Sequence, residues 1–332
     1  MGDPRYFSVR GGANPHTRDR FGRKKRVDPE LARRQWHQMA RALIDYGAEV
    51  VVIEAHPKLS GLVYPANAGF LYPLSNRAAE VPGAGTGCNK RFYLSNLLPT
   101  RASEREIYRA FIGGLGYETV DIKARFEGEA DFFPAGDYML FTYGRIQAQR
   151  FVPHLGFPPW RRIYGFRSEF SALKELSVIA KERRILALEL VLETHYHGDT
   201  ALCSFGPSRR FLLAYLEALS PASRERVKES FGENMIALSA QDAMRYAANA
   251  FQLERDGKFF LFVPQGLSST LLYQIRERGV EPIAVDVSEF MAKGGGSVKC
   301  MILDLGPINE QPSSAQAQAF RAKHSYRGLY RD

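Results

Sequence analysis

The chain has 332 residues, 45% of them hydrophobic and 24% charged, with a formal net charge of +9. This composition describes a globular protein with a large core and excludes a disordered or low-complexity chain. No apolar run approaches the ~18 residues of a membrane-spanning helix, and the opening Met1-Gly2-Asp3-Pro4-Arg5 carries no apolar signal segment.

The first predicted element is a helix over residues 30–46, which stops at Gly47 and runs into the β-branched stretch 48–53. The same unit recurs at 105–115, with Gly116 before the strand 117–122, and at 270–278, with Gly279 before the strand 280–285. Each glycine fits the left-handed position that ends a helix. Less sharply, a helix over 170–181 precedes a strand over 185–192, and a helix over 241–250 precedes a strand over 259–263. About five helix–strand units result, an alternation that suits either a pseudo-symmetric ring around a central site or a doubly wound sheet. Residues 78–90 read as a loop, 145–163 as an excursion rich in proline, and 307–332 as a polar surface tail. No linker divides the chain, so a single domain over 1–332 is expected.

Three cysteines, Cys88, Cys203 and Cys300, lie far apart in sequence. That argues for a reducing, cytoplasmic setting and against a disulfide framework. The positive charge is densest at residues 18–26 and elsewhere alternates with acids. Without a recognition-helix, zinc-finger or aromatic RNA-binding signature it reads as a solvated loop, so no nucleic-acid partner is expected, and no membrane.

Two motifs look like chemistry that they do not complete. Residues 83–90 resemble a phosphate loop but lack its GK[ST] ending. In Thr194-His195-Tyr196-His197-Gly198-Asp199, alternate residues of a strand would face one side, so His195, His197 and Asp199 suggest a metal-dependent hydrolase. Thr200 stands where that class has a further histidine, and only His324 follows downstream. No metal and no cofactor are therefore expected.

The stronger constellation joins three distant segments. Phe126-Glu127-Gly128-Glu129-Ala130-Asp131 closes a strand with carboxylates. His197-Gly198-Asp199-Thr200 offers an imidazole and a carboxylate on one strand face. Residues 294–300 end a three-glycine loop, flexible enough for close backbone approach, with the thiol of Cys300. Carboxylates bind guanidinium groups with bidentate geometry, and a bound cation lowers the pKa of a neighbouring thiol.

These segments resemble the guanidino-group-modifying enzymes of the pentein superfamily: arginine deiminases, dimethylarginine dimethylaminohydrolases and amidinotransferases, with motifs most similar to arginine dihydrolases. Asn14-Pro15 is similar to the family's NP motif, Ala66-Asn67-Ala68-Gly69-Phe70 to its ANAG segment, and residues 126–131 to FEGxxD. Tyr164-Gly165-Phe166-Arg167 is similar to YGFR, His197-Gly198-Asp199-Thr200 to HxDT, Arg245-Tyr246-Ala247-Ala248-Asn249-Ala250 to a late helix, and residues 294–300 to the nucleophile loop. The resemblance implies an α/β fold, a five-bladed pseudo-symmetric propeller of ββαβ units, and enzymes of this kind often form homodimers.

It also implies roles. Cys300 would attack the guanidinium carbon, His197 would move protons, and Glu127 would orient His197. Asp199 and Asp131 would contact the guanidinium, Arg167 would hold a substrate carboxylate, with Arg145 as a rival, and Asn14 would assist. Asn67 stands where citrulline-producing deiminases tend to carry aspartate, so the expected reaction is arginine to ornithine, ammonia and carbon dioxide in two rounds. Dimethylarginine hydrolysis, a citrulline-producing deiminase and amidino transfer are the alternatives. Gly198 replaces a bulky aliphatic residue, with little consequence expected; Glu129 reads as a neighbour and Arg101 as the anchor of a loop or salt bridge.

Overall fold

The computed structural model describes residues 1–10, 14–19, 21–74, 90–154 and 157–330. Asp28 caps the first long helix, α1 (Pro29–Asp45), its carboxylate accepting from the backbone N–H of Glu30 and Leu31. Pro29 fills the first turn, where an absent N–H is no loss. The inward face of α1 buries Trp36, Met39, Ala40 and Leu43. Gly47 follows at φ +99°, Gly116 at +90° and Gly279 at +74°, so all three predicted helix stops adopt the left-handed backbone.

Four three-stranded sheets then repeat one pattern. The first holds β1 (Gly69–Tyr72), β2 (Arg91–Leu94), helix α2 (Glu104–Gly114) and β3 (Glu118–Asp121). The second holds β4 (Phe132–Ala135), β5 (Tyr138–Tyr143), a two-stranded hairpin β6 (Arg150–His154) and β7 (Phe157–Ile163), helix α3 (Ala172–Ile179) and β8 (Arg184–Glu189). The third comprises β9 (Leu202–Phe205), β10 (Phe211–Ala214), α4 (Pro221–Phe231) and β11 (Met235–Ala237). After the short helix α5 (Ala240–Met244), the fourth comprises β12 (Phe251–Arg255), β13 (Lys258–Pro264), α6 (Ser269–Arg276) and β14 (Val280–Val285). In every unit the first two strands are antiparallel and the third returns parallel to the second after a helix. The chain is thus mixed α/β, built from small separate sheets.

A further helix α7 (Ser288–Gly294), the helix α8 (Ala315–His324) and a last helical turn, Tyr326–Leu329, follow. The predicted strand at 48–53 is reduced to isolated bridges, Gly2 with Ile53 and Val51 with Ser325. The expected surface tail packs instead: Phe320 meets Phe111 edge-on, and Ala317, His324 and Tyr326 are buried. The excursion is the β6–β7 hairpin. Cys88 and most of the 78–90 loop lie outside the described residues.

Short turns stand immediately before the first strand of each sheet. Pro65–Ala68 precedes β1, Gly128–Ala130 precedes β4, Gly198–Thr200 precedes β9, and the turn through Asn249 precedes β12. The turns at 65–68, 128–130 and 198–200 touch in sequence, and a fourth, Lys299–Met301, packs on the first of them. Gly128 allows the closest of these approaches. It sits at φ +63°, and a Cβ there would lie 2.7 Å from the Ala66 and Gly69 backbone.

Candidate active site

Cys300 sits in the single turn Lys299–Met301 and is 3% exposed. Asn249 makes four hydrogen bonds around it, two of them to Cys300 itself. Its Oδ1 accepts from the backbone N–H of Ser297 and of Cys300, both at 3.1 Å. Its Nδ2 donates to Sγ at 3.1 Å and to the Asp199 carbonyl at 3.2 Å. Sγ also contacts Asp199 Oδ2 at 3.5 Å. Burial, and then the Asp199 carboxylate, push the thiol well above its ordinary value, while burial brings Asp199 up to about 6.

The glycines ahead of the thiol are crowded rather than flexible. A Cβ on Gly294 would fall 1.9 Å from the Tyr64 hydroxyl, and one on Gly296 would fall 2.5 Å from the Tyr64 ring. The loop is glycine-rich because a tyrosine lies against it.

His197 Nε2 donates to Glu127 Oε2 at 2.9 Å, with both side chains fully buried. Burial opposes ionisation of Glu127, but the hydrogen bond and charge of His197, helped by Arg101 and Arg167, bring it down to about 2. Burial likewise disfavours the imidazolium, yet Asp131, Glu127 and Asp199 together raise the His197 pKa. The second ring nitrogen, Nδ1, is buried without a hydrogen-bond partner among the described residues.

A cavity of about 180 Å³ opens onto this group, and Asn14, Asn67, Glu127, Arg167, His197 and Cys300 all line it. Asn67 Oδ1 accepts from Arg101 at 2.8 Å, and Arg101 is itself clamped by both oxygens of Glu104. The Asn67 amide nitrogen lies 3.5 Å from His197 Nε2. Since Nε2 donates to Glu127, that nitrogen is a donor with no acceptor among the described residues. Asn14 binds the Tyr196 hydroxyl and the Gly294 carbonyl, so it braces the glycine loop while touching the cavity. Arg167 stacks its guanidinium over Tyr196 at 4.8 Å. Its rival Arg145 is exposed and does not line the cavity.

Four expectations change. Asp131 does not face the cavity; it accepts from Thr142 and Ser168 at 2.6 Å and from Gly198 N at 2.9 Å, a buried structural bracket. Asp199 touches the thiol but is not part of the cavity wall. Residues 193–200 are not a strand but two single 3-10 turns, Glu193–His195 and Gly198–Thr200. His195 therefore turns away, donating to the Ala243 carbonyl at 3.3 Å, and burial lowers it to about 4. Among the described residues no three His, Cys, Asp or Glu side chains converge as metal ligands, and the HxHxD reading loses its geometric basis. Gly198 also matters: a Cβ there would lie 2.2 Å from Thr142 Oγ1.

Asn249 lies in the motif at 245–250, but no role was expected of it. The helix expected over 241–250 stops at Met244, and Tyr246 takes a left-handed φ of +57°, so the asparagine enters a turn. Its one signal in sequence is a polar residue inside an alanine run. Glu129 is more than a neighbour, since it forms a short ion pair with Lys299, the residue before the nucleophile candidate.

Comparison with known proteins finds relatives over most of the chain. The family described as "N,N dimethylarginine dimethylhydrolase, eukaryotic" matches residues 192–306. An N(G),N(G)-dimethylarginine dimethylaminohydrolase of Mycobacterium tuberculosis is 29% identical over 92% of this chain and 85% of its own. The bifunctional arginine dihydrolase/ornithine cyclodeaminase AgrE of Nostoc sp. is 24% identical over 91% of this chain but 37% of its own. The substrate-bound N-terminal domain of ArgZ, a cyanobacterial arginine dihydrolase, superposes with a TM-score of 0.73 at 21% identity, covering 92% of this chain and 97% of that domain. A dimethylarginine dimethylaminohydrolase adduct superposes with a TM-score of 0.59 at 17% identity, covering 86% and 92%.

The repeated ββαβ units are the fold of these structural neighbours. Over about nine-tenths of its length the chain is similar in sequence to a dimethylarginine dimethylaminohydrolase and to an arginine dihydrolase.

Proposed function

We propose that this chain hydrolyses the guanidinium carbon of arginine or a close relative through a covalent intermediate on Cys300, in one catalytic domain over residues 1–332. A five-bladed pseudo-symmetric propeller is proposed as its frame. The fifth blade would be formed by α1 and the bridges at Gly2, Val51, Ile53 and Ser325, with Cys300 in its inner turn. The observation that carries the reading is the meeting of Cys300, the His197–Glu127 pair and Asn67 at one cavity.

At rest the thiol is neutral. A guanidinium held by Glu127, and attracted by the Asp199 carboxylate that lies behind the thiol, places positive charge beside Sγ and lowers its pKa, so the thiol loses its proton to solvent and the thiolate forms when substrate is present. Sγ bonds to the guanidinium carbon, and the imidazolium passes the Nδ1 proton to the departing nitrogen, which leaves as ammonia. The neutral imidazole then takes a proton from water as the water oxygen adds to the thiouronium carbon. Breaking the C–S bond returns the thiolate and leaves citrulline.

Asn67 supports a second round. With Oδ1 held by Arg101, it presents N–H to the site, which matches the ureido oxygen of citrulline and not a donor-only guanidinium. Attack on the ureido carbon releases a second ammonia, and hydrolysis gives a carbamate that loses carbon dioxide to leave ornithine. A second reading, hydrolysis of dimethylarginine, is favoured by the matching family and by the 29% identical mycobacterial relative.

Incubation with arginine and with dimethylarginine, beside a Cys300→Ala control and with products identified by mass, separates these. Ornithine supports the two-round reading, citrulline with ammonia a deiminase, and citrulline with dimethylamine the second reading. A product formed only when an acceptor amine is added identifies amidino transfer. Asn67→Asp is expected to stop the arginine reaction at citrulline. An unchanged ornithine yield removes Asn67 from the explanation.

A further inference from the structure

The loop that carries the thiol is held at two points. Near Cys300, Asn249 Oδ1 accepts from Ser297 N and Cys300 N. Where α7 gives way to Gly295 at φ +76°, two neighbouring carbonyls are held from across the site. The Gly294 carbonyl accepts from Asn14 Nδ2 at 2.8 Å, and the Gly295 carbonyl accepts from the Tyr196 hydroxyl at 2.9 Å. Asn14 sets the direction of this second contact. Its Oδ1 accepts from His16 N at 3.0 Å, so Nδ2 is the donor towards Tyr196, at 3.2 Å. The phenol oxygen takes that hydrogen bond and directs its own proton at Gly295. Burial, and then Cys300, raise the phenol above its ordinary value, with Arg167 opposing, so the proton stays in place.

The ring of the same tyrosine meets the cation of the cavity wall. Arg167, buried, lays its guanidinium over the ring at 4.8 Å and donates to the Gly165 carbonyl at 2.9 Å. Arg167 and Tyr196 both line the cavity, and Tyr196 directly precedes His197. A tyrosine side chain is rigid, so its hydroxyl does not shift without its ring. An anion on Arg167 fixes the guanidinium, the guanidinium fixes the ring, and the hydroxyl fixes a carbonyl on the loop that leads to the thiol.

We infer that Tyr196 is a positioning residue that couples a substrate carboxylate held by Arg167 to the placement of Cys300. The carboxylate is then expressed in the rate of attack and not only in affinity, as when binding energy from a remote group is used at the reacting centre. A guanidino compound without that carboxylate binds but reacts slowly. This rests on the guanidino-hydrolase reading and narrows its substrate to guanidino acids.

The test compares arginine with agmatine, which is arginine without its carboxylate, in the parent enzyme and in Tyr196→Phe. Dimethylarginine and its decarboxylated form make a second pair. Phenylalanine keeps a ring under Arg167 and removes the hydrogen bond to Gly295. In the parent, the carboxylate is expected to raise kcat about a hundredfold, the order of effect of a misplaced reacting group. Tyr196→Phe is expected to narrow that ratio to about tenfold, with a larger effect on kcat than on the dissociation constant, since one hydrogen bond to a buried carbonyl is lost. A second measurement needs no turnover. Amide hydrogen exchange of the segment 294–300 is followed in the full-length Cys300→Ala protein. Saturating arginine is expected to slow exchange there more than saturating agmatine, and the difference is expected to vanish in Cys300→Ala/Tyr196→Phe.

A kcat loss of equal size on both members of a pair overturns the inference, because a loop that is merely loosened harms both. So does extra protection by arginine that survives Tyr196→Phe, or equal protection by arginine and agmatine in Cys300→Ala. Agmatine that does not bind at all puts the whole contribution of the carboxylate into affinity and overturns it too. The hydrolase reading fails on a different result, a Cys300→Ala protein that binds neither arginine nor dimethylarginine, and the inference falls with it.

Discussion

Asn249 is completely buried, and its amide touches the thiol, the thiol's own backbone N–H and the carbonyl of Asp199. Asn249→Ala leaves two buried N–H groups, on Ser297 and Cys300, without acceptors. A loss of about 2–6 kcal/mol is expected, since each of the two orphaned buried donors costs about 1–3 kcal/mol. Asn249→Asp is more discriminating. It keeps the acceptor for both N–H groups but replaces a donor to Sγ by a second negative charge. Thiolate absorbance should then titrate at higher pH than in the parent, with stability less affected than in the alanine variant. A thiol titration identical to the parent's would show that Asn249 only braces the loop.

Activity should also follow Asp199. Burial raises its carboxyl to about 6, so acidification through that value neutralises a carboxylate that attracts the guanidinium. The expected profile is a fall in kcat/KM below about pH 6, with the acid limb changed in Asp199→Asn. At this scale the sequence was informative about residue type and weaker about direction. Cys300, His197 and Glu127 do meet. Asp131 was misjudged because a carboxylate that brackets a turn and one that grips a cation look alike in sequence. Only its bonds to Thr142, Ser168 and Gly198 separate them.

At the scale of elements, the site is a meeting of turns rather than of strands. Asn67, Glu127, His197, Asp199 and Asn249 all lie just ahead of a unit's first strand, and Cys300 lies in a comparable turn. The helix stops were legible because left-handed backbone needs glycine. The turns were not, because His-x-His alternation reads the same whether the chain extends or makes two 3-10 turns. The helix α4 was missed as well. Pro221 at its first turn and Gly232 at its end marked it, but its sequence has little apolar periodicity.

Close packing between these turns explains the small residues among them. Gly198→Leu, which installs the bulky aliphatic residue, drives a Cβ to 2.2 Å from Thr142 Oγ1 and 2.6 Å from Thr142 Cγ2. A stability loss of about 1–3 kcal/mol is expected from overpacking. The Gly198→Leu/Thr142→Ala double variant should be more stable than the sum of the single variants predicts, because the residues share the clash. Strict additivity in denaturant midpoints would separate the two positions.

For the whole molecule, the same buried carboxylates link folding to ligand. Raising the Asp199 pKa from 3.8 to about 6 means that the folded state prefers the proton. Its favourable contribution is complete below about pH 4 and is lost as pH rises through about 6. The loss approaches about 3 kcal/mol on the alkaline side. Glu127 acts in the opposite sense. Its folded pKa is lowered to about 2, so its contribution is present above its ordinary 4.5 and disappears as pH falls towards 2. Between these limits, near pH 5, both terms favour the fold. A bound guanidinium reverses the Asp199 term, because it stabilises the ionised carboxylate that the empty site disfavours. Ligand stabilisation is RT ln(1 + [L]/Kd), and Kd falls as Asp199 ionises. The thermal shift that a guanidino ligand gives the Cys300→Ala protein should therefore grow between pH 5 and pH 7.5. It should be flat in Cys300→Ala/Asp199→Asn. A shift of equal size at both pH values in the Cys300→Ala protein would mean that the ligand's charge is met elsewhere, with Glu127, a cavity carboxylate already ionised throughout that range, as the candidate.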